Sequence, residues 1–356
     1  MILHFCVLDK FIPPFIELIN NEFDNQNHHF LVYGDRSQFP FKDASNVEYQ
    51  PQFAHLRGNF WNNIAQITRF LELAKKSEKI ILHGLWDDNL VRLLSFYPGL
   101  LKKCYWIIWG GDLYRHTFRE KGIRSNIHEF FRRIVIKKIG NFVSQIEGDF
   151  ILVKKWYQAT GKWHDCFVYP SNVYCGEPLA NTERELGRSI NILLGNSADP
   201  SNNHFEALDL LLQFRHDNIK IFAPLSYGNK NYANVVISKG KERFGEKFQP
   251  LTDFMAKQEY DKFLRCIDIA IFNHNRQQAF GNIVNLLGMG KKVYIRKKIS
   301  TWNALSQHGI EIFDLDSFDL KPICSKAASK NSKIVGVFFS RKNLLNQLNA
   351  IFAGDI

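Results

Sequence analysis

Short apolar runs alternate with longer amphipathic segments along most of the 356-residue chain. The short runs have the length of buried strands, and the longer segments repeat their apolar residues with helical spacing. This alternation predicts α/β units in which helices cover parallel sheets. The predicted strands are residues 2–8, 30–33, 79–83, 104–109, 141–144 and 166–169, followed later by 190–194, 219–223, 266–272 and 292–296, with helices such as 203–214 and 282–289 between them.

A polar stretch at residues 169–189 separates the two series of strands. It contains proline and glycine and lacks clear periodicity, which is typical of a linker. The chain is also longer than one core usually serves. The prediction is therefore two doubly wound α/β domains, at residues 1–178 and 188–335, with a closing helix at 336–356 that returns to the first domain.

Composition favours a globular protein of the cytoplasm. Hydrophobic residues make up 45% of the chain, which is enough to build sizeable cores. No apolar run approaches the roughly 20 residues that span a bilayer, so no transmembrane helix is expected. The first residues lack the pattern of a signal peptide and are predicted as a strand. The six cysteines form no CxxC pair, which argues against zinc or dithiol sites.

The net charge of +11 predicts an anionic partner, and composition leaves nucleic acid, a phosphorylated ligand and an acidic membrane surface open. The charge is concentrated between Arg115 and Lys138, where eight lysines and arginines face only Glu120 and Glu129. Apolar residues recur there at helical spacings, the pattern of a basic amphipathic helix lying among lipid headgroups. The alternative is a core-packed helix with a solvated basic face. The residues predicted to bind the membrane are Arg124, Arg132, Arg133, Lys137 and Lys138.

The stretch "LLGNSADPSNNHFEAL" at residues 193–208 places small polar residues between a strand and a helix. Ligands of open α/β folds bind at the carboxyl ends of strands. Gly195 permits close backbone approach, and the serines and asparagines that follow can cap the helix or donate hydrogen bonds to phosphate oxygens. A diphosphate-binding loop is predicted, with a ligand-free helix cap as the alternative. The donor-binding residues predicted here are Gly195, Asn196, Ser197, Asp199, Ser201 and Asn202.

A second stretch, "FNHNRQQAFGNIVNLLGMGKKVYI", repeats this arrangement with a strand through Phe272, a polar loop and a helix. It resembles the donor-binding segment of two-domain nucleotide-sugar glycosyltransferases of the GT-B fold. Gln277, Gln278 and Asn285 stand where many of those enzymes carry paired glutamates. The turn "APLSYG" either approaches a base or diphosphate or is a plain surface turn. The donor-binding residues predicted in these segments are Pro224, Tyr227, Arg276, Gln277, Gln278, Gly281 and Asn282.

Two strands of the first domain end near residues suited to acid–base chemistry. In "IIWGGDLY" a strand is followed by Asp112, a candidate general base unless it caps the next helix or pairs with Arg115. In "ILHGLWDD" a strand ends at His83, whose imidazole can act on a sugar hydroxyl or contact a donor phosphate. A structural histidine is the alternative. Asp87 and Asp88 belong to no metal-binding pattern, so no metal is predicted.

Four segments together, "WGGDLY", "GNSADPSNNH", "PLSY" and "NRQQAFG", resemble the TDP-N-acetylfucosamine:lipid II N-acetylfucosaminyltransferases of enterobacterial common antigen synthesis. The resemblance implies a GT-B hexosyltransferase with two Rossmann-like domains facing a central cleft. It implies a TDP-sugar donor, an undecaprenyl-diphosphate-linked saccharide acceptor, and peripheral attachment to the anionic cytoplasmic face of the inner membrane. It implies neither a metal cofactor nor a nucleic-acid partner. The matched positions are Trp109, Gly110, Asp112, Leu113, Tyr114, Gly195, Asn196, Ser197, Asp199, Ser201, Asn202, His204, Arg276, Gln277 and Gln278.

Departures from the family motifs leave other donors open, either a related deoxyamino sugar or a different nucleotide sugar in O-antigen synthesis. A general base is required only if transfer inverts the anomeric configuration. The alternative class is a basic nucleic-acid-binding protein, although no reading motif is present. An epimerase or dehydrogenase is disfavoured because no GxGxxG follows the first strand. The departures lie at Gly111, Ala198, Pro200, Phe280 and Asn282.

Overall fold

The computed structural model describes residues 1–53, 60–120, 122–174, 176 and 187–353. Contacts divide the chain into two compact units. The N-terminal unit comprises Met1–Ser171 together with Leu344–Ile356, and the C-terminal unit comprises Asn172–Asn343. The predicted linker falls largely on residues 177–186, which lie outside the described residues.

The N-terminal unit contains a seven-stranded parallel sheet. Its strands are β1 (Ile2–Val7), β2 (His28–Tyr33), β3 (Val47–Gln50), β4 (Lys79–His83), β5 (Cys104–Ile107), β6 (Asn141–Val143) and β7 (Lys162–His164). They lie in the order β3-β2-β1-β4-β5-β6-β7, so β1 pairs with β2 on one side and with β4 on the other. The winding of the sheet reverses between β1 and β4, where sheets of this kind bind ligands.

Helices connect these strands and cover the sheet. Residues of β1 from Ile2 to Cys6 are all buried, which requires that both faces of the sheet are covered. The core contains large side chains such as Phe70, Trp106 and Phe142. The helices are α1 (Ile12–Glu22), α2 (Phe60–Lys76), α3 (Asp88–Ser95), α4 (Pro98–Leu101), α5 (Gly111–Phe118), α6 (Ile123–Lys138) and α7 (Glu147–Tyr157).

The C-terminal unit contains a six-stranded parallel sheet. Its strands are β8 (Ile190–Leu194), β9 (Ile219–Pro224), β10 (Phe248–Leu251), β11 (Ile269–Phe272), β12 (Lys292–Ile295) and β13 (Phe313–Asp314). They lie in the order β10-β9-β8-β11-β12-β13. The winding reverses between β8 and β11, which are paired neighbours. Its helices are α8 (His204–Leu211), α9 (Lys230–Phe244), α10 (Lys257–Arg265), α11 (Phe280–Gly288), α12 (Ser300–Gln307) and α13 (Ser325–Phe338).

The last helix, α14 (Arg341–Ala353), belongs to the N-terminal unit from Leu344 onward. Lys79, the first residue of β4, donates a hydrogen bond to the carbonyl of Phe352 at 3.0 Å. The Phe352 ring packs edge-on against His28, the first residue of β2, with 4.7 Å between ring centroids. The carboxyl end of α14 is thus fixed at the amino ends of these two strands.

The apolar runs locate the central strands of both sheets but miss β3, β7, β10 and β13. These four are the edge strands of the two sheets. An edge strand is half exposed, so its residues are mixed in polarity and form no apolar run.

The strand predicted at residues 166–169 is absent, and the segment forms a turn instead. Val168 has a φ of +50°, and the Tyr169 N–H donates to the carbonyl of Phe167 at 2.6 Å. All four residues are buried. The apolar run therefore reflects burial of a turn rather than strand pairing, which periodicity cannot distinguish in so short a segment.

Candidate active site

The loop after β8 opens at Gly195, whose φ of +69° lies in the left-handed region. Its N–H donates to the carbonyl of Ile271 on β11 at 2.9 Å. A Cβ at this position would lie 2.7 Å from Asn202 Oδ1 and 2.8 Å from His204 Nε2. Glycine is therefore required here both for its backbone angle and for the space that it leaves.

Asn202 is the buried centre of this loop. Its Oδ1 accepts hydrogen bonds from the Asn196 N–H and from His274 Nε2, both at 2.9 Å. Its Nδ2 donates to the Asp199 carbonyl at 3.0 Å and to Ser197 Oγ at 3.3 Å. Both lone pairs and both amide hydrogens of Asn202 are used within the protein. The structure thus gives Asn202 the role of shaping the loop, in place of the donor contact predicted for it.

Gln278 joins the two loops that the sequence singled out separately. It lies just before α11, and its Nε2 donates to Asn196 Oδ1 at 3.0 Å. Ser201 Oγ donates to Gln278 Oε1 at 2.7 Å. The loops after β8 and β11 meet because these two strands are neighbours and run parallel. Their polar side chains therefore share the carboxyl edge of the C-terminal sheet.

Arg276 supplies a positive charge at this edge. Its Nη2 lies 3.5 Å from Asp199 Oδ2, and its side chain is largely buried. Burial raises the pKa of Asp199, but hydrogen bonds from Ser201 and the charge of Arg276 outweigh it and lower that pKa overall. The arginine is thus held in place by a carboxylate that stays ionised.

The other predicted donor-binding residues lie at neighbouring positions. The Tyr227 hydroxyl accepts a hydrogen bond from Asn196 Nδ2 at 3.0 Å, and the ring is 43% exposed. Pro224 is the last residue of β9 and is buried. Gly281 lies in the first turn of α11, and Asn282 Nδ2 donates to a tyrosine hydroxyl of α10 at 3.1 Å. The set thus extends over the carboxyl ends of β8, β9 and β11.

Four buried polar atoms of the C-terminal unit find no hydrogen-bond partner among the described residues: His204 Nε2, His274 Nδ1, Gln277 Oε1 and Thr301 Oγ1. Gln277 is only 7% exposed and follows Arg276 directly. Burial lowers the pKa of His204 to about 4, so its ring is neutral, and Nδ1 lies 3.2 Å from the Tyr232 hydroxyl. An unpaired buried polar atom costs free energy, which a ligand can recover by hydrogen bonding to it.

In the N-terminal unit, Asp112 is fully buried and its carboxylate accepts four hydrogen bonds. Oδ1 accepts from the N–H groups of Trp109 and Leu113, both at 3.0 Å. Oδ2 accepts from the Leu85 N–H at 3.0 Å and from Trp106 Nε1 at 2.7 Å. A general base must present an oxygen to its substrate. The structure therefore replaces the predicted role as base with a structural one, in which Asp112 ties the loop after β4 to the loop after β5.

Arg132, predicted to bind the membrane, is 1% exposed and supports the same two loops. Its Nη1 donates to the Leu85 carbonyl at 3.0 Å, and its Nη2 donates to the Asp112 carbonyl at 2.7 Å. Oε2 of Glu129, on the same helix, lies 3.8 Å from Arg132 Nε. The prediction fails for Arg132 because this turn of α6 faces the core.

His83 is fully buried within a chain of hydrogen-bonded rings. Its Nε2 lies 3.1 Å from His4 Nδ1, and His4 Nε2 lies 2.9 Å from His28 Nδ1. Its own Nδ1 lies 2.8 Å from the Tyr169 hydroxyl, which also accepts from Trp109 Nε1. Burial lowers the pKa of His83 to about 3, so the ring is neutral. Both ring nitrogens are engaged internally, which replaces the predicted contact with sugar or phosphate.

The rest of α6 carries an apolar stripe on its outer side. Ile123, Ile127 and Phe130 are 83%, 47% and 58% exposed, and Phe118 just before the helix is 57% exposed. At 3.6 residues per turn, Ile123, Ile127 and Phe130 lie opposite the core-facing residues of the helix. Basic residues flank the stripe on both sides. We call the α6 surface the set Phe118, Ile123, Arg124, Ile127, Phe130, Arg133, Lys137 and Lys138, all of which are exposed.

A family model described as 4-alpha-L-fucosyltransferase glycosyl transferase group 56 matches residues 2–344. The chain belongs to this family. This group 56 protein is therefore a glycosyltransferase of the hexosyltransferase type.

Solved glycosyltransferase structures share the fold of the group 56 chain. Anabaena Alr3699/HepE, solved in complex with UDP and glucose, is 12% identical over 98% of both chains with a TM-score of 0.65. A glycosyltransferase from Rickettsia africae is 13% identical over 98% of this chain and 97% of that chain, with a TM-score of 0.64. WaaG, a glycosyltransferase involved in lipopolysaccharide biosynthesis, is 12% identical over 99% and 94%, with a TM-score of 0.56. The fold is GT-B, with two parallel-sheet α/β domains.

Neither a metal centre nor a membrane span is found in the part of the group 56 chain that the structure describes. Within it, no group of three or more histidine, cysteine, aspartate or glutamate side chains is placed to hold a metal ion. No described helix is both long and apolar enough to cross a bilayer.

Two residues at the carboxyl edge of the N-terminal sheet were not among the candidate site residues predicted from the sequence. Asp9 follows β1 and Trp86 follows β4, so both lie at the carboxyl edge where the winding reverses. Both could have been considered from the sequence, because each lies shortly after an apolar strand, as Asp112 does. Without the strand order, nothing in the sequence showed that the loops after β1, β4 and β5 are neighbours.

We expect acid to destabilise the protein through its buried neutral histidines. Burial lowers the pKa of His83 and of His274 to about 3, while an unfolded histidine titrates near 6.5. Below about pH 6.5 the unfolded chain takes up protons that the folded protein does not bind. Stability should therefore fall as the pH drops from about 6.5 towards 3, by about 2 kcal/mol for each such histidine at about pH 5. Urea unfolding over a pH series measures this slope.

The variant His83→Asn should take up about one proton fewer on unfolding at about pH 5, and so show a shallower slope. His216→Asn is the control, since His216 is exposed. An unchanged slope in His83→Asn would contradict the assignment of His83 as a buried neutral ring.

Proposed function

We propose that the protein transfers a deoxyamino sugar, N-acetylfucosamine or a close relative, from a TDP-sugar to an undecaprenyl-diphosphate-linked saccharide. Such a reaction belongs to the synthesis of bacterial surface polysaccharides such as enterobacterial common antigen or O-antigen. The family membership supports sugar transfer, and the motif resemblance supports this donor and acceptor.

The observation that carries the donor site is the junction of the loops after β8 and β11 through Gln278. Both loops lead into helices, α8 and α11, whose first N–H groups favour an anion. Arg276 adds a positive charge at the same edge. We place the TDP diphosphate here, with the buried Oε1 of Gln277 as an acceptor for an N–H or O–H of the nucleotide sugar.

In this proposal the departing diphosphate is stabilised by Arg276 and by the two helix N-termini. These groups offset negative charge without a divalent ion, so transfer is proposed to be metal-independent. Equal rates with and without a chelator would support this, and a requirement for added Mg²⁺ or Mn²⁺ would contradict it.

We further propose that the α6 surface binds the anionic cytoplasmic face of the inner membrane. An apolar stripe that points away from the core and is flanked by basic residues fits a lipid interface better than it fits water. Such peripheral binding would hold the N-terminal unit near an acceptor whose lipid tail stays in the bilayer.

The variants Arg276→Gln and Gln278→Ala should each weaken TDP binding by roughly tenfold or more. The first removes a charged partner of the diphosphate, and the second releases the junction between the loops. Isothermal titration calorimetry with TDP measures both. Arg188→Gln is the matched control, because Arg188 pairs with Asp268 at the opposite, amino edge of the same sheet. Parental affinity in both test variants would place the donor elsewhere.

Reversing the exposed charges of the α6 surface should abolish co-sedimentation with anionic vesicles at low salt. Each basic residue near such a surface contributes about 1 kcal/mol, and this part of the attraction weakens as salt rises. The charge variant carries glutamate at Arg124, Arg133, Lys137 and Lys138, and leaves the buried Arg132 unchanged.

A second variant with serine at Ile123, Ile127 and Phe130 should lose the binding that persists at high salt, because that part depends on apolar burial. The control reverses four exposed lysines of the C-terminal unit and so changes the net charge equally. These are Lys241, Lys326, Lys330 and Lys333. Equal loss of binding in the control would reduce the effect to net charge and remove the α6 surface from the proposal.

A further inference from the structure

Three loops lie side by side at the carboxyl edge of the N-terminal sheet, after β1, β4 and β5. The three strands are consecutive in the sheet order β1-β4-β5. Their loops carry Asp9, Trp86 and Trp109. A flat aromatic surface and a carboxylate thus share the edge at which sheets of this kind bind ligands.

Trp86 is held in one position by two glycines and a second indole. A Cβ at Gly84 would lie 2.6 Å from Trp86 Cδ1, and a Cβ at Gly111 would lie 2.9 Å from Trp86 Cη2. Both glycines leave the space that the ring occupies. Trp109 meets Trp86 edge-to-face, with 6.0 Å between ring centroids. Trp86 is nevertheless 37% exposed, which is a large exposed area for a ring so closely packed.

The backbone on both sides of Trp86 is also fixed. The preceding residue, Leu85, donates its N–H to Asp112 and accepts from Arg132 through its carbonyl. The following residue, Asp87, caps the amino end of α3, and its side chain accepts hydrogen bonds from two N–H groups of the first turn at 2.8 Å. The buried ionic groups described above therefore pre-organise the exposed part of the indole.

Asp9 is the carboxylate of this edge whose oxygens are least occupied by described partners. Its carboxylate accepts hydrogen bonds from two backbone N–H groups, that of Phe11 at 3.4 Å to Oδ1 and that of Lys10. Asp112 by contrast is enclosed by four donors, and Asp88 is bound by two nitrogens of Arg115 at 2.9 Å. Phe11 packs on Trp109 at 5.3 Å, which places Asp9 beside the aromatic cluster. Partial burial raises the pKa of Asp9, an environment suited to accepting a hydrogen bond or a proton.

We propose that these loops form a saccharide-binding site, in which the exposed part of Trp86 packs on a sugar ring of the acceptor and Asp9 accepts a hydrogen bond from one of its hydroxyl groups. This inference rests on the proposed function. A pyranose has an apolar C–H face and a rim of hydroxyl donors, so it matches a flat indole beside an acceptor-only carboxylate. A diphosphate does not match, because Asp9 would repel it.

The test measures binding of methyl glycosides of N-acetylglucosamine and N-acetylmannosamine by saturation-transfer NMR at millimolar concentrations. The parent should bind at least one of them. Trp86→Ala should lose roughly tenfold or more in affinity, Trp86→Phe should lose less because a smaller ring remains, and Asp9→Asn should lose roughly tenfold. Phe338→Ala is the control, because Phe338 lies on α13 and its 40% exposure matches that of Trp86.

TDP binding is measured on every variant and separates this inference from the proposed function. Parental TDP affinity in Trp86→Ala, together with weakened glycoside binding, supports the acceptor site. If Trp86→Ala binds the glycosides as the parent does, or if the parent binds none of them, the saccharide site is wrong while the donor proposal stands. If Trp86→Ala instead weakens binding of a TDP-sugar but not of the glycosides, the indole contacts the donor and the inference is overturned. Failure of the parent to bind TDP would overturn the proposed function itself.

Discussion

Both candidate sites depend on one constraint: the first strand of each sheet pairs with a strand that comes much later in the chain, at the point where the winding reverses. β1 pairs with β4 and β8 pairs with β11, all in parallel. Parallel neighbours end at the same edge, so loops far apart in sequence become adjacent there. Gln278 can reach Ser201 only because β8 and β11 are neighbours. The fold thus assembles each site, and the polar residues of the loops then fix its shape.

Buried polar groups fix the shape of these loops. Burying each group costs desolvation free energy, which its hydrogen bonds must offset. Asp112 and Asn202 are fully or almost fully buried, and each engages all the donors or acceptors needed to hold its loops together. A buried polar group without hydrogen-bond partners in either place would cost more free energy than one hydrogen bond contributes. Among the described residues, buried polar atoms without a partner occur in both units, for example Arg132 Nε and Gln277 Oε1. Only those beside the loops after β8 and β11 bear on the donor site that we propose.

The basic segment around α6 shows one residue type in two roles. Arg132 faces the core and binds two backbone carbonyls, whereas Arg124 and Lys138 are exposed beside an apolar stripe. Arg132 can be buried because its guanidinium has several donors in a fixed plane, and backbone carbonyls accept hydrogen bonds from both of its terminal nitrogens. The number of basic residues in a segment is therefore only the maximum number that can contact a partner, because some of them are buried.

The sequence by itself determined the fold class, the central strands and the polar loops after β8 and β11, because buried parallel strands require continuous apolar runs and their ends require polar residues. It could not determine the edge strands, whose half-exposed residues carry no such run. It also could not tell a partly exposed carboxylate from a fully buried one. Asp9 and Asp112 both follow apolar strands, and only the tertiary structure encloses the fully buried Asp112 in four donors and leaves Asp9 partly exposed. Which side chains face a ligand depends on what packs beside them, and those neighbours come from distant parts of the chain that meet only when the sheet has formed.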